Sequence, residues 1–215
     1  MQASLSAQSI NQRLRKLPTW PLYLLGLVPF VLLVVQALTG DLGADPVKGL
    51  ERPLGEWGLK FIVAGLCVTP LRWFTGVSLI KYRRAIGLLA FFYVALHLTT
   101  WVALDLQFRW AEIGADLIKR PYIIVGMIGF VALLPLAITS NNLSIRKMGP
   151  LGWQRLHRLT YVAALAGAVH YIMLVKAWPL EPLLYLGAVI VLLAVRALRS
   201  WRRAQAAMPM GQAAK

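Results

Sequence analysis

Apolar residues along this chain come in long unbroken runs rather than at the period of half-buried helices or strands. Six runs approach the length of about 20 residues that a helix needs to cross a hydrocarbon core about 30 Å thick. They cover 20–38, 57–73, 85–104, 121–139, 156–175 and 179–198. The pattern predicts an all-α, polytopic membrane protein with six transmembrane helices in one bundle. An arm over 1–19 precedes the bundle of 20–198, and a basic tail over 199–215 follows it. The links are short, so no soluble domain is expected between the spans. The first run is too long for a cleavable signal, and no small-residue cleavage site follows it.

Composition agrees with a lipid setting. Hydrophobic residues make up 59% of the 215 and charged residues 14%, against about 25% charged in soluble domains. The mean hydropathy is +0.64. A soluble fold of this composition would expose large apolar patches. The net charge of +15 could by itself suggest nucleic acid, but its distribution points elsewhere. Sixteen basic residues and no acid fall on one set of alternate segments: Arg13, Arg15 and Lys16; Arg72, Lys81, Arg83 and Arg84; Arg146, Lys147, Arg155 and Arg158; Arg196, Arg199, Arg202, Arg203 and Lys215. All eight acids fall on the other set: Asp41, Asp45, Glu51, Glu56, Asp105, Glu112, Asp116 and Glu181. Such alternation is the positive-inside signature of six spans with both termini cytoplasmic, and a nucleic-acid binder has no need of it. Tryptophans near span ends (Trp20, Trp57, Trp73, Trp101, Trp153, Trp178, Trp201) suit interfacial belts. Lys60, near the outer end of the second span, is expected to snorkel. Apart from Glu181 at the outer end of the sixth run, the spans hold no acid, which argues against transport coupled through buried carboxylates. The single cysteine, Cys67, lies in an apolar stretch and forms neither a disulfide nor a haem-attachment motif within the chain.

The three histidines carry the candidate chemistry. His97 lies on the third span, His157 at the start of the fifth, and His170 further along it. At helical rise His97 is about 18 Å and His170 about 21 Å from the inner ends of their helices. The two rings can therefore share one level in the outer half of the bilayer. Two neutral imidazoles facing each other across a bundle are what a six-coordinate b-type haem iron needs. With no carboxylate beside them, a zinc or di-iron site is disfavoured. His157 lies about 20 Å from His170 along the axis and about 140° around it, so both cannot bind one iron. One haem-span before His97 stand Arg83 and Arg84 rather than a histidine. Three roles stay open for His157: ligand of an inner haem with an unusual partner, contact to a flavin or quinone, or an interfacial histidine.

Three stretches carry a family resemblance: RRAIGLLAFFYVALHLTTW over 83–101, KRPYIIVGM over 119–127, and LAITSNNLSIRKMGPLGWQRLHRLTYVAALAGAVHYIMLVK over 136–176. Together they resemble the MsrQ (YedZ) family, haem-binding membrane subunits of the protein-methionine-sulfoxide reductase system, within the ferric-reductase-like transmembrane group. The resemblance implies a bacterial inner-membrane cytochrome with haem b and FMN as cofactors. It implies electrons drawn from the quinol pool or a cytosolic flavin reductase. It implies delivery to a periplasmic molybdopterin reductase that repairs oxidised methionines in envelope proteins. The wider group places two histidines on each of two helices, whereas here the third span has His97 alone.

Among the 17 glycines there is no GxGxxG or phosphate-cradling loop, so the chain is expected to be a conduit that takes no hydride from a nicotinamide by itself. Arg83, Arg84, Arg146, Lys147, Arg155 and Arg158 form an inner basic rim that suits a flavin phosphate, haem propionates or an acidic flavoprotein. The same residues serve equally as topology signals. Three rivals remain: a stand-alone ferric or quinone reductase of this architecture, a non-redox transporter with helices broken at Pro29 and Pro135, and a purely structural membrane anchor for a partner.

Overall fold

The computed structural model describes residues 2–175, 177 and 179–206. The expectations at Lys176, Trp178 and the end of the tail, with Lys215, lie outside the described residues. Every regular element among the described residues is helical. Helix α1 spans Gln2–Lys16, α2 Trp20–Thr39 and α3 Pro46–Thr75. Helix α4 spans Arg83–Thr100 and runs on into a π-helical turn, Trp101–Asp105. Then come α5 Trp110–Lys119, α6 Pro121–Ile138, α7 Asn142–Leu156, α8 Leu159–Leu174 and α9 Leu180–Ala206. Helix α3 packs along α4 and α6 along α8, while α9 leans on α8 and α3, and α2 flanks α4 from outside. The exposed faces of α2 and α9 carry Leu25, Leu32, Leu38, Leu184 and Val191, an apolar surface that only lipid tolerates.

Among the described residues, five helical stretches are long and apolar enough to cross a bilayer: α2, α3, α6, α9 and the stretch Ile80–Asp105 that contains α4. The span expected over 156–175 is shorter than its apolar run. Its helix, α8, has 16 residues, about 24 Å of rise. A turn at His157 and Arg158 separates it from α7, and its alanines 163, 164 and 168 are buried in the main core. Helix α3 deviates in the opposite direction and starts well before Trp57. Asp45 caps it by accepting the Lys48 N–H at 3.1 Å, and Pro46 sets its first turn. The charged residues Lys48, Glu51, Arg52 and Glu56 break the apolar pattern, which is why this extension reads as a loop in the sequence. Lys60 does not merely snorkel. It pairs with Glu56 at 3.6 Å and lies 4.9 Å from the Trp57 ring centre.

Prolines inside the spans remove helix hydrogen bonds, and side chains from neighbouring helices repair two of the gaps. At Pro29 the α2 ladder opens, and the Tyr93 hydroxyl enters it. That hydroxyl accepts the Phe30 N–H at 3.0 Å and donates to the Gly26 carbonyl at 2.7 Å. Tyr93 is fully buried and its ring stacks 5.5 Å from Phe61. At Pro70 the Leu66 carbonyl lacks its usual donor four residues on, and the Arg196 guanidinium of α9 donates to it instead. Arg196 also lies 5.8 Å from the Tyr161 ring centre, so one side chain ties α9 to both α3 and α8.

The short elements close the basic end. Asn11 of α1 donates to the Gly76 carbonyl at 3.0 Å and accepts the Ser78 N–H at 2.8 Å. Lys81 donates to the carbonyls of Arg15 and Leu17, at a helix end where the last carbonyls have no N–H donor of their own. The predicted arm is thus an ordered helix docked on the loop after α3. In place of Tyr93, phenylalanine would leave a carbonyl and an N–H unbridged in lipid. Tyr93→Phe is expected to cost about 1–3 kcal/mol, read as a lower unfolding midpoint in detergent; an unchanged midpoint would mean the hydroxyl bridge contributes nothing.

Candidate cofactor cavity between two histidines

Helices α3, α4, α6 and α8 enclose a cavity of about 630 Å³. Its floor is apolar, with Leu59, Ile62, Val94, Leu133 and Ala163. Its mouth, at the mixed-charge end, is polar, with Lys48, Glu51, Arg52, Asp105 and Arg120. The expectation that no acid lies near the histidines therefore needs correcting: Glu51 and Glu56 ride the extended start of α3 into the cavity wall. Glu56 accepts a hydrogen bond from Tyr171 at 3.2 Å. That placement was hidden because the charged turns of α3 look like a loop in the sequence.

His97 and His170 both line the cavity, with ring centres 6.2 Å apart and planes crossed at 76°. The equal depth expected from helical rise is thus realised by tertiary packing. Each ring uses one nitrogen on backbone. His97 Nδ1 stands 2.9 Å from the Glu51 carbonyl oxygen of α3. His170 Nδ1 stands 2.7 Å from the Tyr122 carbonyl oxygen of α6. A carbonyl only accepts, so in both rings Nδ1 carries the proton, and the neutral imidazole has its lone pair on Nε2. Among the described residues, no group of three or more His, Cys, Asp or Glu side chains could hold a metal ion. The donor set is two imidazoles, which suits a metal that arrives with its own in-plane ligands.

His157 does not line this cavity. It ends α7 at the other end of the bundle, with its ring stacked 3.7 Å from Trp153. Thr139 donates its only hydroxyl proton to the Pro135 carbonyl at 2.6 Å. The 3.1 Å contact between Thr139 Oγ1 and His157 Nε2 must then use a proton on Nε2. His157 is therefore the opposite tautomer, with Nδ1 as its unprotonated nitrogen. Arg83, Arg84, Arg155 and Arg158 are all exposed and none lines the cavity; Arg84 donates to Asn142 Oδ1 at 2.8 Å. Sequence reasoning missed the two carbonyls that orient the histidines, because backbone acceptors leave no residue-type signal.

Comparison with known proteins adds to this geometry. The model of the family described as "Ferric reductase like transmembrane component" matches residues 54–168, a stretch that holds His97 and His157 and stops just short of His170. Three curated relatives, from Brucella anthropi, Brucella ovis and Brucella abortus, are each 47% identical over 196 residues, covering 90% of this chain and 89% of the relative. Each is named "Protein-methionine-sulfoxide reductase heme-binding subunit MsrQ". The chain belongs to the MsrQ family. Its multi-pass helical bundle is thus a ferric-reductase-like membrane domain, as the resemblance implied. The family match spans the bundle from α3 into α8, the elements that build the cavity.

Proposed function

We propose that this chain is a b-type cytochrome of the bacterial inner membrane, with both termini cytoplasmic. It passes electrons to a periplasmic molybdopterin reductase of methionine sulfoxide in envelope proteins. The observation that carries the reading is the histidine pair: His97 and His170 face one cavity, each with Nδ1 satisfied and Nε2 left as the donor. The fit to a haem rests on three features. Ring centres 6.2 Å apart leave room for one metal centre between two Nε2 atoms. The walls are apolar, and the mouth offers Lys48, Arg52 and Arg120 to carboxylate side arms. Bound there, a haem supplies one-electron redox chemistry, and its potential is set by its axial ligands and burial.

The chain's own part is to orient the ligands, exclude water from the floor and offer a docking rim at each end. At the basic end, Arg83, Arg84, Arg155 and Arg158 are exposed. This rim suits a flavin phosphate of FMN, a quinone headgroup, or an acidic flavin reductase as donor. With Nε2 engaged by Thr139, His157 supports a contact to such a donor through Nδ1 more directly than ligation of an inner iron. The relatives' names speak of a methionine-sulfoxide reductase; in this reading that acceptor docks at the mixed-charge end, because the cavity that holds His97 and His170 opens there. The family model's description favours a second reading, a stand-alone ferric reductase.

In the purified protein, His97→Ala and His170→Ala should each abolish the sharp reduced-haem bands, whereas His157→Ala should keep those of the paired site. Full bands in either of the first two would sink the assignment. Neutralising Arg155 and Arg158 to Gln together should slow haem reduction by a quinol or by a flavin reductase with nicotinamide, with topology unchanged; equal rates would reduce the rim to a topology signal. Rapid reduction of ferric chelates without any periplasmic partner would favour the second reading.

A further inference from the structure

The two histidines are oriented by the same backbone device on two different helices. The carbonyl that receives His97 belongs to Glu51, and the residue four positions on is Gly55. The carbonyl that receives His170 belongs to Tyr122, and four positions on is Gly126. In an α-helix the carbonyl of residue i bonds the N–H of residue i+4, so the side chain at i+4 stands beside that oxygen and shields it. Glycine leaves the oxygen open to a second donor. A Cβ at Gly55 would come within 3.0 Å of His97 Nδ1. A Cβ at Gly126 would come within 2.8 Å of His170 Nδ1. In each case the atom met first is the nitrogen that makes the hydrogen bond. At Gly126 something must shift, and at Gly55 the neighbour must give by a few tenths of an ångström; in both cases the displaced group is the ring that holds the carbonyl.

We propose that Gly55 and Gly126 are positioning residues for the two axial ligands. Each opens a slot on its helix through which an imidazole reaches the carbonyl one turn earlier, so that only Nε2 is presented to the cavity. The inference rests on the haem reading above and adds to it what sets ligand orientation and basicity. Hydrogen bonding from the outer ring nitrogen raises the basicity of the metal-binding one, and loss of such a partner typically lowers metal affinity or activity about 10- to 100-fold. A more basic ligand stabilises ferric over ferrous iron. The two slots therefore act together to hold the reduction potential down.

The test compares Gly55→Ala and Gly126→Ala with Gly87→Ala, since a Cβ at Gly87 meets nothing within 4 Å. Measured on the full chain in detergent, the first two should release haem about 10- to 100-fold more readily and titrate at a higher potential. Gly87→Ala should match the parent in both. Retention and potential at parent values in Gly55→Ala and Gly126→Ala would overturn the proposal. Failure of the haem reading itself shows differently, as intact bands in His97→Ala. Should an alanine variant not fold, ring-¹⁵N spectra of the haem-free parent decide the matter. His97 and His170 as Nδ1–H tautomers, with His157 as Nε2–H, support the slots; Nε2–H at His97 or His170 overturns them.

Discussion

A hydrocarbon slab supplies no hydrogen bonds, so each polar group within it must find a partner inside the chain. That constraint organises the molecule. Among the described residues, no buried side-chain nitrogen or oxygen lacks a hydrogen-bond partner. Tyr93 is consumed by the break at Pro29, and Arg196 by the carbonyl that Pro70 frees. Thr139 closes on Pro135 and holds the ring of His157. His97 and His170 obey the same rule with one nitrogen each, and their second nitrogen is turned into the cavity.

The same rule separates the two ends of the bundle. At the mixed-charge end a long charged extension of α3 forms one wall of the cavity mouth. There Glu51 contributes its side chain to the rim and its backbone carbonyl to His97. At the basic end side-chain-to-carbonyl bonds tie α1 to the loop after α3 and α7 to the end of α6. Under the proposed function, one end serves as the cofactor chamber and the other as the docking platform.

Legibility followed the type of signal. Long apolar runs fixed most helix positions closely, as for α2, α4 and α6, because lipid selects them residue by residue. Mixed segments carry no such signal. The start of α3 and helices α1, α5 and α7 carry charges at loop-like density, yet they are helical because neighbours satisfy their ends. Asp45 caps α3, Asn141 caps α7 through the Ser144 N–H, and Lys81 covers the last carbonyls of α1. The apolar run over 156–175 overstated α8, since the turn at His157 and Arg158 belongs to α7's end rather than to the span.

Sequence by itself determined the all-α membrane class, the charge asymmetry, and the shared depth of His97 and His170, since each follows from residue type and a fixed rise per residue. Tertiary structure alone decided which ring nitrogens carry protons, that Gly55 and Gly126 stand beside the receiving carbonyls, and that Glu51 and Glu56 enter the cavity wall. Those outcomes depend on how one helix faces another. Backbone carbonyls are the same at every position, so only packing distinguishes the two that hold the histidines.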